Sequence, residues 1–416
     1  MDSSNAAAPA CRFCQTPLRH TFADLGMSPV SNAFRRPQDR DAPEVFYPLH
    51  AYVCSSCKLV QLPEVRAADA LFTADYAYFS SFSDSWLAHA EAYAGDMTRR
   101  LGLGGDDLVV EIASNDGYLL QYFKTNGVQV LGIDPAANVA RAAEETRGVP
   151  TLVRFFGAEV ARELVAQGRR PRLMIANNVL AHVPDINDFV AGFAELLAPG
   201  GVITFEFPHL LKLIEQGQFD TIYHEHYSYL SYLAVSKILA AHGLAAFDVE
   251  HLTTHGGSLR LFVRRAGEGE AEPSIAELQR RETGGGLDDL ATYEAFSDRV
   301  RRAKRRLLAF LIEAKEQGKT IVGYGAPAKG NTLLNYCGVG TDFIDYTVDR
   351  SPQKQGLLLP GTGIPVYAPE RIAETRPDYV LILPWNLKDE IVQQLAEVRG
   401  WGGRFVVPIP EAQVLP

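Results

Sequence analysis

The chain has 416 residues, too long for one ordinary domain of about 100–200, and 47% of them are apolar against 22% charged. That balance excludes a disordered chain and predicts two or three packed domains. The net charge of −10, from 50 acidic and 40 basic residues without a long run of either sign, argues against general nucleic-acid or membrane-surface binding. No apolar stretch reaches the ~18–20 residues of a membrane helix, and Met1–Ala10 lacks the basic end and apolar stretch of a secretion signal, so the expected state is a cytoplasmic monomer.

Five cysteines are present, and four of them form two Cys-x-x-Cys pairs, Cys11/Cys14 and Cys54/Cys57; Cys337 stands alone. In a reducing compartment thiols stay unpaired, and four thiolates on two knuckles suit tetrahedral zinc. Four sulfur ligands leave no open position, so such a site is structural. The rival, a pair of redox dithiols, wants its motif at a helix start after a strand, and neither pair has that setting. The zinc-binding module is expected to span residues 1–68. Next, residues 62 to 84 carry Tyr76, Tyr78 and Ser80 among other aromatics and hydroxyls, which suits a core or a site lining.

From about residue 85 strands and helices alternate. Leu108–Ala113 reads as a buried strand, followed by the turn Ser114-Asn115-Asp116-Gly117, a helix from near Tyr118, and a second strand, Val128–Ile133, ending in Asp134. This is the nucleotide half of an open α/β sheet, with ligand at the carboxyl ends of the strands. An acid ending the second strand accepts hydrogen bonds from both ribose hydroxyls. A dinucleotide site wants Gly-x-Gly-x-x-Gly beneath its pyrophosphate; this turn has only Gly117, and the acidic Asp116 disfavours a diphosphate. A sulfonium cofactor with an amino-acid tail fits, and S-adenosylmethionine is expected from Val109 to Asp134, with Glu111, Ala113, Asn115 and Gly117 around it. Thr151–Phe156 is read as a third strand with Phe155 and Phe156 at the adenine edge, or in plain core packing. Leu173–Ala176 is the fourth, running into Asn177, Asn178 and then His182. A helix from Ile186 to Leu197, the turn Pro199-Gly200-Gly201 and a strand from Val202 to Phe207 complete a Rossmann-like methyltransferase layout, assigned to residues 69–265.

Phe219–Tyr227 is the densest cluster of proton-transfer groups, with Tyr223, His224, Glu225 and His226 in succession. Tyr223 and His226, three apart, would share one face of a helical turn. A metal cluster is the alternative, but a zinc protease spaces its histidines four apart. His255-Gly256-Gly257-Ser258-Leu259-Arg260 precedes a strand. Residues 266–292 are expected as a polar connector, and a basic helix from Tyr293 to Glu316 as a solvated face.

The last hundred residues, within an expected domain 293–416, repeat this grammar. Thr320–Gly325 is a strand running into a glycine turn, a helix follows from Lys329, and Phe343–Val348 is a strand ending in Asp349. Arg376-Pro377 echoes Arg170-Pro171, Gly402-Gly403 echoes Gly200-Gly201, and Pro410 echoes Pro208. The expectation is an internal duplication. Gly325–Asn331 suits an anion, with helix-start amides, Lys329 and Asn331 around a diphosphate. A second dinucleotide site, and with it an NAD-dependent oxidoreductase, is the rival, but Pro327 and Lys329 depart from that pattern. A zinc-bearing scaffold that binds nucleotide sugars without catalysis is a third reading.

End to end, the Cys-x-x-Cys pairs, Val-Glu-Ile-Ala-Ser-Asn-Asp-Gly, Asn-Asn-Val-Leu-Ala-His-Val-Pro-Asp, Tyr-His-Glu-His-Tyr-Ser-Tyr, His-Gly-Gly-Ser-Leu-Arg and Gly-Tyr-Gly-Ala-Pro-Ala-Lys-Gly resemble the sugar C-methyltransferases of antibiotic deoxysugar pathways. Within that family the chain most resembles the C-3 methyltransferases of the tetronitrose pathway. The resemblance implies a dTDP-linked 3-amino-4-keto sugar methylated at C-3; relatives acting at C-5 or on 3-hydroxy sugars share most of the motifs. It also implies that Tyr76, Tyr78 and Ser80 lie over the cofactor and sugar, and that Tyr223, Glu225, His226 and His182 surround the sugar. Methylating carbon needs a carbanion, which forms beside a ketone when a base is placed near the proton and the enolate oxygen is stabilised. His226 is the expected base, Tyr223 or His182 the partner of the C-4 oxygen, and Glu225 the holder of the amine.

Overall fold

The structure, a computed structural model, describes residues 8–65, 80–82 and 84–415. Its first unit is antiparallel: β1 (His20–Ser28), β2 (Tyr47–Val53) and β3 (Val60–Gln61) form a small sheet. In β2 alternate side chains Leu49, Ala51 and Val53 are buried, as a strand with one covered face requires.

The second unit begins with α1 (Asp84–Leu101) and then alternates β4 (Leu108–Ile112), α2 (Leu120–Thr125), β5 (Gln129–Ile133), α3 (Ala137–Arg147), β6 (Thr151–Leu152), α4 (Ala158–Ala166), β7 (Leu173–Asn177), α5 (Ile186–Leu196) and β8 (Val202–Pro208). Strands covered by helices on both faces read as unbroken apolar runs, and Val109-Val110 and Leu173-Met174-Ile175-Ala176 are buried accordingly. Asp185 starts α5 by accepting the N–H groups of Asn187 and Asp188. The third expected strand is cut to two residues, because the chain turns after Leu152 and sends Phe156 under α5.

After α6 (Leu210–Gln216) comes β9 (Ser228–Tyr229), which leaves this unit and pairs antiparallel with β3, Val60 opposite Tyr229 and Gln61 opposite Ser228. The small sheet therefore has the order β1-β2-β3-β9. The chain returns through α7 (Tyr232–Ala241), β10 (Leu244–Leu252) and β11 (Ser258–Arg265), giving a seven-stranded sheet in the order β10-β11-β8-β7-β4-β5-β6.

The expected connector is not a bare linker: it folds into α8 (Pro273–Gly284), and the basic helix divides into α9 (Leu290–Glu294) and α10 (Phe296–Glu316). Glu282 explains why α8 is held. Fully buried, its carboxylate lies 2.8 Å from Nε2 of His209 and accepts the N–H groups of Tyr232 and Leu233 at 2.6 and 2.7 Å, donors that the first turn of α7 cannot satisfy internally. Along α10, Phe296, Val300, Ala303, Leu307, Leu311 and Ala314 make the buried stripe, and Phe296 stacks on Phe22 of β1 at 4.5 Å.

The third unit comprises β12 (Ile321–Tyr324), α11 (Ala328–Cys337), β13 (Thr347–Val348), β14 (Val366–Tyr367), α12 (Arg371–Thr375), β15 (Tyr379–Ile382), α13 (Lys388–Gln394), β16 (Arg404–Val407) and β17 (Gln413–Val414). Its strand order, β14-β13-β12-β15-β16-β17, places the first strand third from one edge, as β4 is placed in the larger sheet. No helix of the described residues is long and apolar enough to cross a membrane.

Replacing Glu282 by alanine leaves the buried His209 and the part-buried N–H groups of Tyr232 and Leu233 without their acceptor. The expected loss is about 3 kcal/mol or more of unfolding free energy, measured by chemical denaturation; a loss below about 1 kcal/mol would mean that α8 is not held by this contact.

Candidate active site

The four cysteines come together as expected. Their Sγ atoms all lie within 4.8 Å of one another, with Cys11–Cys57 at 3.6 Å and Cys14–Cys54 at 3.5 Å. Tetrahedral zinc with sulfur at about 2.3 Å sets sulfurs roughly 3.8 Å apart, so the set fits. Each knuckle closes alike, the Gln15 N–H on the Cys11 carbonyl and the Lys58 N–H on the Cys54 carbonyl, with both residues at positive φ. Gln61 of β3 donates to the Cys11 sulfur at 3.1 Å.

At the carboxyl end of β4 the chain makes a strained turn. Ala113 and Asn115 have φ of 55° and 50°, a left-handed conformation unusual for side-chain-bearing residues. The turn is fixed by Asp134 at the end of β5, whose carboxylate accepts the N–H groups of Asn115 and Ala136, each at 2.9 Å. Burial raises the Asp134 carboxyl to about 6, against the lowering effect of those two N–H groups. Gly117 is favoured by its left-handed φ of 75°, and a Cβ there would press on Ala143 and Val149 at 3.2 Å. Burial pushes the Glu111 carboxyl well up, its Oε2 has no partner among the described residues, and the same holds for buried atoms of Asn177 and Asn178. These orphaned polar atoms around Asp134 fit S-adenosylmethionine, whose ribose hydroxyls and amino-acid end need such partners.

Three expectations change. Phe156 packs edge-on against Phe189 and Phe193 in the core, so only Phe155, half exposed, remains available at the adenine edge. The Asn115 side chain accepts the Ser80 N–H at 2.9 Å, which leaves its backbone as the part that shapes the cofactor turn. Asn331 is 1% exposed and its amide donates to the Ser31 carbonyl at 2.6 Å, bracing the small sheet's loop, while its Oδ1 has no partner among the described residues. Lys329 lies on the face of Trp385, bonded to Asn386; burial pulls its ammonium down to about 8, opposed by the charge of Asp220. Tyr76 and Tyr78 lie outside the described residues.

Tyr223 to His226 form a tight turn, not a helix, with the His226 N–H on the Tyr223 carbonyl. The turn still brings the expected pair together: Tyr223 Oη is 2.8 Å from His226 Nε2. On the other side of the ring His226 Nδ1 is 2.9 Å from the Thr221 carbonyl, and His182 Nδ1 is 2.7 Å from the Glu225 carbonyl. The rings of His182 and His226 meet edge to face at 4.6 Å. A carbonyl can only accept, so both histidines carry their proton on Nδ1 when neutral. Burial keeps them neutral, lowering His182 to about 4 and His226 well below its usual value.

Sequence reasoning missed three neighbours. Asn32, from the loop after β1, donates to the Glu225 carboxylate at 3.0 Å. Trp86 of α1 stacks on His89 at 4.9 Å and meets the ring of His255 edge-on at 5.5 Å. His255 itself, at φ 54°, is accessible to solvent yet ringed by protein that pushes its imidazole down to about 4. Only His255 stood in a quoted motif; Asn32 and Trp86 stood in none.

Family models match the chain in three adjoining pieces: residues 11–72 a candidate zinc-binding domain, residues 86–249 a methyltransferase domain, and residues 253–410 a C-methyltransferase C-terminal domain. The chain is similar to the C-methyltransferase NovU of Streptomyces niveus, with 38% identity over 97% of this chain and 96% of that one. A ubiquinone biosynthesis O-methyltransferase of Methylobacterium sp. (strain 4-46) is 34% identical over 23% of this chain and 38% of its own. Among solved structures, the 1,6-didemethyltoxoflavin-N1-methyltransferase of Burkholderia thailandensis superposes with a TM-score of 0.36 at 16% identity, covering 52% of this chain and 98% of that one.

If Asp134 holds the ribose hydroxyls, its ionised carboxylate accepts from them more strongly than the neutral acid, so S-adenosylhomocysteine affinity is expected in full above about pH 6 and to weaken as the pH drops through it. Asp134→Asn should bind at least about tenfold more weakly and lose that pH dependence. Calorimetry showing wild-type affinity for Asp134→Asn would remove the ribose role.

Proposed function

The chain belongs to the C-methyltransferase family to which its sequence motifs point and is an S-adenosylmethionine-dependent C-methyltransferase; from that premise we propose that it methylates C-3 of a dTDP-linked 3-amino-2,3,6-trideoxy-4-keto-hexose. The observation that carries this reading is the half-buried Tyr223–His226 pair, set beside His182 and the buried Glu225. Bound S-adenosylmethionine supplies the electrophilic methyl group; the chain's own residues make the carbon nucleophilic.

His226 is the base. Its Nδ1 proton is tied to the Thr221 carbonyl, so the lone pair sits on Nε2, and in the structure that lone pair accepts the Tyr223 hydroxyl. When the sugar enters, the Tyr223 O–H turns to the C-4 oxygen, which uncovers Nε2 for the C-3 proton and stabilises the enolate in one exchange of partners. Between the two candidates for the C-4 oxygen, the geometry favours Tyr223. His182 has its proton on Nδ1, held by the Glu225 carbonyl, and a neutral imidazole in that tautomer has no second proton to donate. Glu225 takes the amine through Oε2, a buried oxygen without a partner among the described residues.

The division of labour follows. Residues 1–68 form the zinc module, 69–265 hold the methyl donor, 266–292 connect, and 293–416 hold the nucleotide of the sugar, with Lys329 toward the diphosphate. The matching strand orders of the two larger sheets support an internal duplication. So do the matching acids: Asp349 accepts the Ala326 and Ser351 N–H groups at 2.7 and 2.9 Å as Asp134 accepts those of Asn115 and Ala136.

Exchange of the C-3 proton in deuterium oxide, without methyl donor, tests the base. His226→Asn should slow exchange by about a hundredfold or more, and Tyr223→Phe should slow it more than His182→Asn does. In the unmodified enzyme the rate should hold below pH 6.5 and fall only at lower pH, because burial keeps His226 in its basic form there. Wild-type exchange in His226→Asn would exclude that residue as the base.

A further inference from the structure

Glu225 presents one held and one open oxygen. Oε1 accepts the Asn32 side-chain N–H at 3.0 Å, and Oε2 is buried without a partner among the described residues. The residue is 7% exposed, so the open oxygen is shielded from bulk water and needs a specific partner. Asn32 itself comes from the zinc module, in the loop between β1 and β2, far along the chain from the turn it meets.

That loop is fixed from two directions. The Ser31 carbonyl accepts the Asn331 amide of α11 at 2.6 Å, and the Ser31 hydroxyl lies 3.4 Å from that of Thr332. Thr332 in turn donates to the Ile222 carbonyl at 3.0 Å, at the start of the catalytic turn. One brace on α11 thus holds both the loop that carries Asn32 and the turn that carries Glu225. The second direction is internal, with the Ala33 N–H on the Val30 carbonyl and the Phe34 N–H on the Asn32 carbonyl.

We propose that Asn32 is a positioning residue for the reaction: by holding Oε1 it aims Oε2 at the substituent on C-3 of the sugar and makes the zinc module a contributor to substrate selection. The inference rests on the reading of Glu225 as the partner of the substrate amine. An amide N–H can donate but cannot take a proton, so Asn32 acts only through the carboxylate. Burial raises the Glu225 carboxyl, while its own backbone N–H and the Asn32 amide lower it. Without Asn32 one of the two lowering contacts is gone, and the protonated acid is a poorer acceptor for an amine. Among the described residues the titratable groups facing Glu225 are His182 and Tyr229, and burial keeps both neutral.

The test is a double-mutant cycle on the zinc- and cofactor-loaded enzyme: Asn32→Ala, Glu225→Gln and the pair, with zinc content and S-adenosylhomocysteine affinity measured on each. Asn32→Ala should raise KM for the sugar about tenfold or more and move the acid limb of kcat/KM to higher pH. In the Glu225→Gln background the same change should add less than about twofold. A KM effect of equal size in both backgrounds, or an acid limb that stays in place, overturns the proposal. If Asn32→Ala loses zinc, Asn32→Ser carries the cycle. Whether the substrate bears an amine is read separately, from the unmodified enzyme given 3-amino and 3-hydroxy keto sugars; the cycle is run on whichever turns over, so a wrong substrate and a wrong role for Asn32 give different results.

Discussion

The pairing of β3 with β9 is the contact on which the arrangement of the site depends. Strands of two residues have no stability alone, and here each is anchored by what precedes it. β3 follows directly on the knuckle Cys54–Cys57, and β9 follows directly on the turn Tyr223–Tyr227. The Leu62 N–H on the Tyr227 carbonyl extends the ladder by one bond. Zinc therefore has a reason to be in a methyltransferase without touching its chemistry: four thiolates lock the strand against which the turn Tyr223–Tyr227 is built. The turn keeps its shape without a helix, since β9 fixes its exit, α11 its entry through Thr332, and the Thr221 carbonyl the orientation of His226.

Burial then does most of the electrostatic tuning. The same loss of water that pushes Asp134 and Glu225 up pulls His182 and His226 down, so the site collects neutral imidazoles beside acids poised to ionise. That combination suits proton removal from carbon, which needs an unprotonated base at neutral pH and hydrogen-bond donors for the oxygen that becomes charged. Beneath the site, Glu206 is held by Arg260 at 2.8 Å and His89 at 3.1 Å, and His89 supports the ring of Trp86, which faces His255.

Much of this was legible in the chain because it is written in local pattern. Two Cys-x-x-Cys pairs, an apolar run ending in a small-residue turn, and an acid at the end of the next strand each state their geometry within a few residues. Tyr223 and His226 were recognised as partners from their spacing, although a turn and not a helix joins them. What escaped depends on contacts between distant segments. Asn32 and Glu225 are 193 positions apart, and nothing in either neighbourhood announces the other. Glu282 looked like one more charge in a polar connector, and only the bare N–H groups of α7, fifty residues earlier, give it a role. Asn331 sat in a stretch that reads as an anion loop, yet its side chain serves the loop of the small sheet. Phe156 followed an apolar strand, and the early turn after Leu152 that sends it into the core has no local sign.

The central claim is that the chain makes a carbon nucleophile at C-3 and nowhere else on the sugar. The most direct measurement is the position of the new methyl group, read by carbon–proton correlation in the product formed from methyl-13C S-adenosylmethionine and a dTDP-linked 3-amino-4-keto sugar. The account predicts a labelled methyl on a quaternary C-3 that also bears the amine, with the proton at C-5 retained. A label on nitrogen, on oxygen or at C-5 would contradict it.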